Sequence, residues 1–221
     1  MSPSRNRADD SRPGLVKAGL SIEAESFRII DEEAGPHGLS PEQWQVARRM
    51  IHTTGDFEYA RLLRFHPRAM ESGTEALRKG APIFADTRMI RTGLSPWRLE
   101  WFGNRVEVPV TDARSQEWAE AEGITRSAAA FRRRADRLQG AVVAVGNAPT
   151  ALLEVVRLCR EEKVRPALVV GVPVGFVQAA ESKEALRDLE DQPSLVVSGR
   201  KGGSTVAVAA LHALLEIARN G

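Results

Sequence analysis

The feature that most constrains this chain is the alternation that begins at Ala141. Short apolar runs, AVVAV, PALVVGV and SLVVSG, are separated by the amphipathic stretches ALLEVVRLCREE and ESKEALRDL, and TVAVAALHALLEIARN closes the series. Runs this apolar suit strands buried on both faces, and helices returning between them make βαβ units on a parallel sheet. Two earlier runs, APIFAD and RVEVPV, extend the sheet, the first of them ending in an acid. A long helix is expected over SQEWAEAEGITRSAAAFRRRADRL, with Gly123 able to divide it. No repeat of fixed period and no interdomain linker breaks the pattern, so the chain reads as one α/β domain. At 221 residues such a domain can bury roughly 70% of its unfolded surface.

Upstream, residues 1–20 are polar and broken by Pro3 and Pro13. A disordered tail is expected there, with the ordered domain spanning 21–221. SIEAESFRIIDEEA spaces Ile22, Phe27, Ile29 and Ile30 in a loosely helical pattern. In SPEQWQVARRMIHTTG, Ser40 is placed to cap a helix, Pro41 takes its first position and Gln43 completes a capping box. Trp44, Ala47 and Ile51 form the apolar stripe of that helix. Arg49 and His52, three residues apart, project from one flank of it. A cation and an imidazole are thereby expected side by side at the edge of the core, a position that suits a pocket wall.

Several function classes lose support on composition. The charged fraction is 27% and the formal net charge +2, too balanced to indicate nucleic-acid binding. FRRRADR at 131–137 reads as a solvated basic helix face. Cys159 is the one cysteine, which excludes an internal disulfide framework and a cysteine metal cluster and fits a reducing cytoplasm. The histidines at 37, 52, 66 and 212 show no metal-ligand spacing. No run reaches the ~18 apolar residues of a membrane span, and the N-terminus has no signal-peptide core. Ser21, Ser26 and Ser204 lie in no nucleophile elbow.

The last three expected strands each run into a glycine- and proline-rich loop: GNAPT at 146–150, GVPVGF at 171–176 and GRKGGST at 199–205. In open parallel sheets ligands bind where such loops converge, at the carboxyl ends of the strands. Glycine lets backbone approach a ligand, and the following helix N-terminus offers free amides to anions. GRKGGST lacks the Gly-Lys immediately before Ser/Thr of a phosphate loop, and VGNAPT lacks the spacing of a dinucleotide fold. A ligand crevice is expected without a nucleotide in it.

Taken together and in this order, MIHTTGDFEYA, KGAPIFADTRMI, TRSAAA, VGNAPTAL, GVPVGFVQAAESKEAL and GRKGGSTVAVAAL resemble the precorrin-8X methylmutase family of cobalamin biosynthesis, over about residues 21–215. SPWRLEWFGN is the least characteristic stretch. The resemblance implies a three-layer α/β/α sandwich, a cytoplasmic homodimer with a shared cleft, a corrinoid substrate and no cofactor or metal. It implies an isomerase that moves a methyl group from ring carbon 11 to ring carbon 12, giving hydrogenobyrinate from precorrin-8X or cobyrinate from its cobalt-containing analogue. His52 falls on the family's catalytic histidine, and Arg49 and Ser26 on substrate-contacting positions.

Arg126, with Asn147, Thr150 and Lys201 of the glycine loops, completes the expected substrate-binding set. Arginines at 49 and 126 can pair bidentately with carboxylate arms, and the amides of GNAPT and GRKGG can take others. His52, within reach of a ring nitrogen, would donate a proton and bias the π-system toward product. The alternative is a non-catalytic tetrapyrrole-binding or carrier protein of the same fold, which would keep the loops and arginines without needing His52.

Overall fold

The computed structural model describes residues 17–221. A capped amphipathic pair opens it. Helix α1 (Lys17–Glu33) packs on α2 (Pro41–Thr54), followed by the short α3 (Glu58–Leu62) and the strand β1 (Leu63–Phe65). Next come α4 (Ala69–Arg78), β2 (Ile83–Ala85), α5 (Arg88–Gly93), α6 (Pro96–Glu100) and β3 (Val106–Glu107). Then α7 (Ser115–Glu122) and α8 (Arg126–Arg132) lead into the regular alternation: β4 (Val142–Val145), α9 (Pro149–Glu161), β5 (Leu168–Gly171), α10 (Ala179–Arg187), β6 (Ser194–Val197) and α11 (Ser204–Asn220).

The six strands form one sheet in the order β1-β6-β5-β4-β2-β3, parallel throughout except where β1 runs antiparallel to β6. Side-chain alternation explains the layers. Ile83, Ala85, Val142, Ala144, Leu168, Val170, Leu195 and Val197 face one core, which α2, α4 and α11 cover. Phe84, Val143, Val145, Val169 and Val196 face the other, under α8, α9 and α10. With both faces buried, the inner strands β2, β4 and β5 need no polar positions and are continuously apolar, while the edge strands β1 and β3 carry Arg64 and Glu107. This is the expected three-layer α/β/α sandwich.

Two expectations change in detail, and two stretches gain definition. Helix α1 starts at Lys17 rather than 21, and residues 1–16 of the expected tail lie outside the described residues. RVEVPV yields only the two-residue β3 before Pro109 opens a 3-10 turn over Pro109–Thr111, since proline cannot donate to a ladder. The long helix does divide at Gly123, whose left-handed φ of 64° ends α7, and Thr125 caps α8 by accepting from Ala128 N. SPWRLEWFGN, the least characteristic stretch, holds a helix: Pro96 starts α6, and Arg98 is buried in it.

The sheet reverses direction between β2 and β4. The β2–β3 connection packs its helix α5 into the same core as α11, whereas α9 returns on the opposite face. Doubly wound sheets place their ligand crevice beyond the carboxyl ends of the strands at such a switch point.

Candidate functional site

His52 lies in the last turn of α2, which is held at its start by the capping box: Ser40 Oγ accepts from Gln43 N at 3.3 Å and Gln43 Oε1 from Ser40 N at 3.1 Å. The imidazole is exposed and packs at 5.1 Å between ring centroids on Phe27 of α1. It makes no hydrogen bond to another described residue, which leaves its ring nitrogens available to a ligand. Ser26, next to Phe27 in the chain, is half-buried on the same helix.

Arg49 is on the same flank as His52, but the residue is 9% exposed and its guanidinium already engaged. It donates to Glu216 Oε2 at 2.6 Å and to Glu23 Oε1 at 3.2 Å. Arg98 grips the other oxygen of Glu216, at 2.6 and 3.1 Å, so one carboxylate of α11 ties α2 to α6. His212, a turn before Glu216, accepts from Ser95 N at 3.0 Å. Burial, with the charges of Arg98 and Arg49 added, pulls its imidazole down to about 3, which keeps it neutral. A cavity of about 200 Å³ beside this cluster is lined by Arg49, Thr53, Met89, Thr205 and His212, among others.

The second group of expected residues sits at the switch point. Arg126 is exposed at the start of α8 and makes long bonds, 3.4 Å to Val110 O and 3.3 Å to Ser115 Oγ. Thr150 Oγ1 meets Thr125 Oγ1 at 2.8 Å, linking the start of α9 to the start of α8. Asn147 is exposed in the loop between β4 and α9. Lys201 spends its ammonium on Asp56 and Glu58, in the turn just after His52. The loop 199–205 therefore lies between the two groups, touching the His52 turn through Lys201 and the switch point through Ser204, whose Oγ is 3.0 Å from Thr87 Oγ1.

Two sequence expectations about the loops are corrected. The amides of Gly146, Asn147 and Ala148 are not open to a substrate carboxylate. They donate to the buried side chain of Asp86 at 2.9, 2.8 and 2.7 Å. Nor do Gly146 and Gly202 serve the close approach of a ligand. A Cβ on Gly146 would sit 2.8 Å from Ser204 Cα, and one on Gly202 2.2 Å from Val172 O. These glycines let the loops pack on one another. Lys183 of α10, 1% exposed, fastens the same loop by donating to Gly199 O and Lys201 O at 2.8 and 2.7 Å. Burial lowers its pKa to about 8.

A cleft of about 740 Å³ opens at the opposite edge of the sheet beside Pro82, Gly140, Pro166 and Pro193, which precede the strands. None of the expected site residues lines it. Around the carboxyl ends, by contrast, Met89, Val174, Phe176 and Val177 are exposed, Phe176 by 82% and Val177 by 79%. Among the described residues no group of three or more His, Cys, Asp or Glu is arranged to hold a metal ion, and no helix is long and apolar enough to cross a membrane.

Fold and site together define a doubly wound α/β protein. Its exposed imidazole and arginine-bearing loops gather around the carboxyl edge of the sheet. The sequence model of the precorrin-8X methylmutase family matches residues 21–217, and the chain belongs to that family. It is 47% identical over 208 residues to the cobalt-precorrin-8 methylmutase of Leptospira interrogans, covering 91% of this chain and 94% of that protein. It is 42% identical over 200 residues to the precorrin-8X methylmutase of a Sinorhizobium species, covering 90% and 95%. A crystal structure of precorrin-8X methylmutase from Thermus thermophilus superposes with a TM-score of 0.85 at 50% identity, over 91% of this chain and 98% of that one. Members of the family so named are isomerases, and the sandwich and its sheet are theirs.

Proposed function

We propose that this chain is the isomerase of cobalamin biosynthesis that carries the ring-carbon 11 to ring-carbon 12 methyl shift of precorrin-8X or of its cobalt-containing analogue. The observation that carries the reading is His52: an imidazole with no hydrogen bond to another described residue, set on a capped helix beside the carboxyl edge of the sheet. A sigmatropic methyl shift makes and breaks one carbon–carbon bond within the substrate and needs no external donor. The protein's part is to hold the macrocycle in one conformation and to alter its electron distribution. His52 supplies a proton to a ring nitrogen and takes it back when the product leaves, a contribution of about 10²–10⁴-fold. Arg126, Asn147 and Thr150 receive carboxylate arms at the switch point, with Ser26 on the α1 side. Arg49 and Lys201, already paired with acids, face substrate as members of ion-pair clusters, where a carboxylate arm has to compete with Glu23, Glu216, Asp56 or Glu58.

The same reading makes the working unit a cytoplasmic homodimer with a shared cleft. A cavity of about 200 Å³ beside Arg49 is smaller than the ~300–1,000 Å³ of pockets that enclose drug-sized ligands. A corrin lies flat across the loops instead and needs a second surface to exclude water. Exposed Phe176, Val177 and Met89 are suited to supply it. The test is to mix purified protein with precorrin-8X, and separately with its cobalt analogue, and follow the absorption spectrum. The substrate that converts to an isomer of unchanged mass identifies the reaction, and a bound but unchanged chromophore refutes it.

A further inference from the structure

At the switch point, where the fold places its ligand crevice, a carboxylate already sits. Asp86 is the first residue after β2, it is 2% exposed, and its own amide donates to Ala144 O of β4 at 3.1 Å. Its side chain accepts three backbone N–H bonds from the loop that follows β4, one on Oδ1 and two on Oδ2. Consecutive amides converging on one point form the concave nest that binds anions in many α/β proteins. Here the protein supplies the anion itself. Among the described residues no cation is a partner of Asp86, so backbone amides carry what compensation its desolvation receives. Burial outweighs the backbone hydrogen bonds and holds its pKa above the ordinary carboxylate value.

The consequence reaches the neighbouring side chains. The captured segment is Gly146–Ala148, so Asn147 is held by its own backbone, and Pro149 and Thr150 start α9 directly after it. Thr150 bonds Thr125, and Thr125 caps the helix that begins with Arg126. On the other side Gly146 packs on Gly203 and Ser204. We infer that Asp86 is a positioning residue of the reaction: by filling the amide nest it sets the placement of Asn147, Thr150 and Arg126 toward the corrin's carboxylate arms. It does not touch substrate. This inference rests on the reading that those three residues receive the arms.

The test is Asp86→Asn. An amide has one acceptor oxygen and turns an NH₂ toward at least one loop N–H, so the nest opens with little change in volume. Product affinity, titrated with hydrogenobyrinate, is expected to weaken about tenfold or more. Binding stoichiometry stays at the wild-type value, and turnover at saturating substrate stays within a few-fold. Combining it with Asn147→Ala is expected to give less than the product of the two separate losses, because both act through one loop. A purely structural Asp86 would instead lower the melting temperature and the fraction of binding-competent protein while leaving the dissociation constant unchanged, and that result overturns the inference. Should Asp86→Asn not fold, Ala148→Pro deletes one of the three donors and keeps the carboxylate. It is expected to weaken binding several-fold, and wild-type affinity there would overturn the inference equally. Wild-type protein that binds neither hydrogenobyrinate nor cobyrinate would count against the function itself and would be seen before either variant is made.

Discussion

At the scale of single residues, the two arginines that the sequence offers as equals have different work. Arg126 makes bonds of 3.3 and 3.4 Å at the surface, whereas Arg49 joins α2 to α11 and α1 through Glu216 and Glu23. Arg126→Ala is therefore expected to weaken product binding by about one to two decades, the worth of a charged hydrogen bond, with the melting temperature unchanged. Arg49→Ala is expected to lower stability by about 1–3 kcal/mol through the carboxylates it strands, read from denaturant midpoints. Periodicity could place Arg49 beside His52 but could not see Glu216, 167 residues on. Its neighbour His212 gives the pH dependence. Its folded pKa is depressed from 6.5 to about 3, so the stability it contributes is present above 6.5 and is lost as pH falls below that value. The expected slope is about 1.4 kcal/mol per pH unit from this one group. His212→Gln, which keeps an acceptor for Ser95 N, should flatten the stability curve between pH 6.5 and 5; an unchanged curve would contradict the assignment.

At the scale of elements, the alternation after Ala141 made three strands and three helices legible because doubly buried strands are almost wholly apolar, Ser194 at the start of β6 being the polar residue among them. What it could not convey is who uses the loops. The sequence read the glycines of GNAPT and GRKGG as room for a ligand, but the space they leave is filled by neighbouring loops. One signal was available: APIFAD ends its apolar run in an acid, and a buried acid next to a glycine loop must find donors. The antiparallel β1 had no such signal, since three residues of edge strand are too few for a period to show. Gly202 makes the loop packing testable. Its φ of 156° and the 2.2 Å approach to Val172 O leave no space for a methyl group, so Gly202→Ala is expected to cost more than 2 kcal/mol of stability and to loosen product binding. Gly38→Ala, also at positive φ but with open space around it, should cost about 1–2 kcal/mol and leave binding unchanged. Equal effects of the two substitutions would mean that strain rather than loop contact sets the requirement.

At the scale of the whole molecule, the sandwich is a rigid platform that presents an imidazole, arginine-bearing loops and an apolar rim along one edge. A site open on one side predicts concentration dependence: specific activity should fall on dilution below the dimer dissociation constant, and a fully active monomer in sedimentation would exclude a shared cleft. The proposed site spreads binding over several loops and assigns the proton transfer to one side chain, so the two should separate cleanly. The measurement that tests this most directly is turnover of precorrin-8X and affinity for hydrogenobyrinate, both made on His52→Ala. The account predicts that turnover falls by about 10²–10⁴-fold while product binds with near wild-type affinity. A His52→Ala protein that converts substrate at the wild-type rate would contradict it.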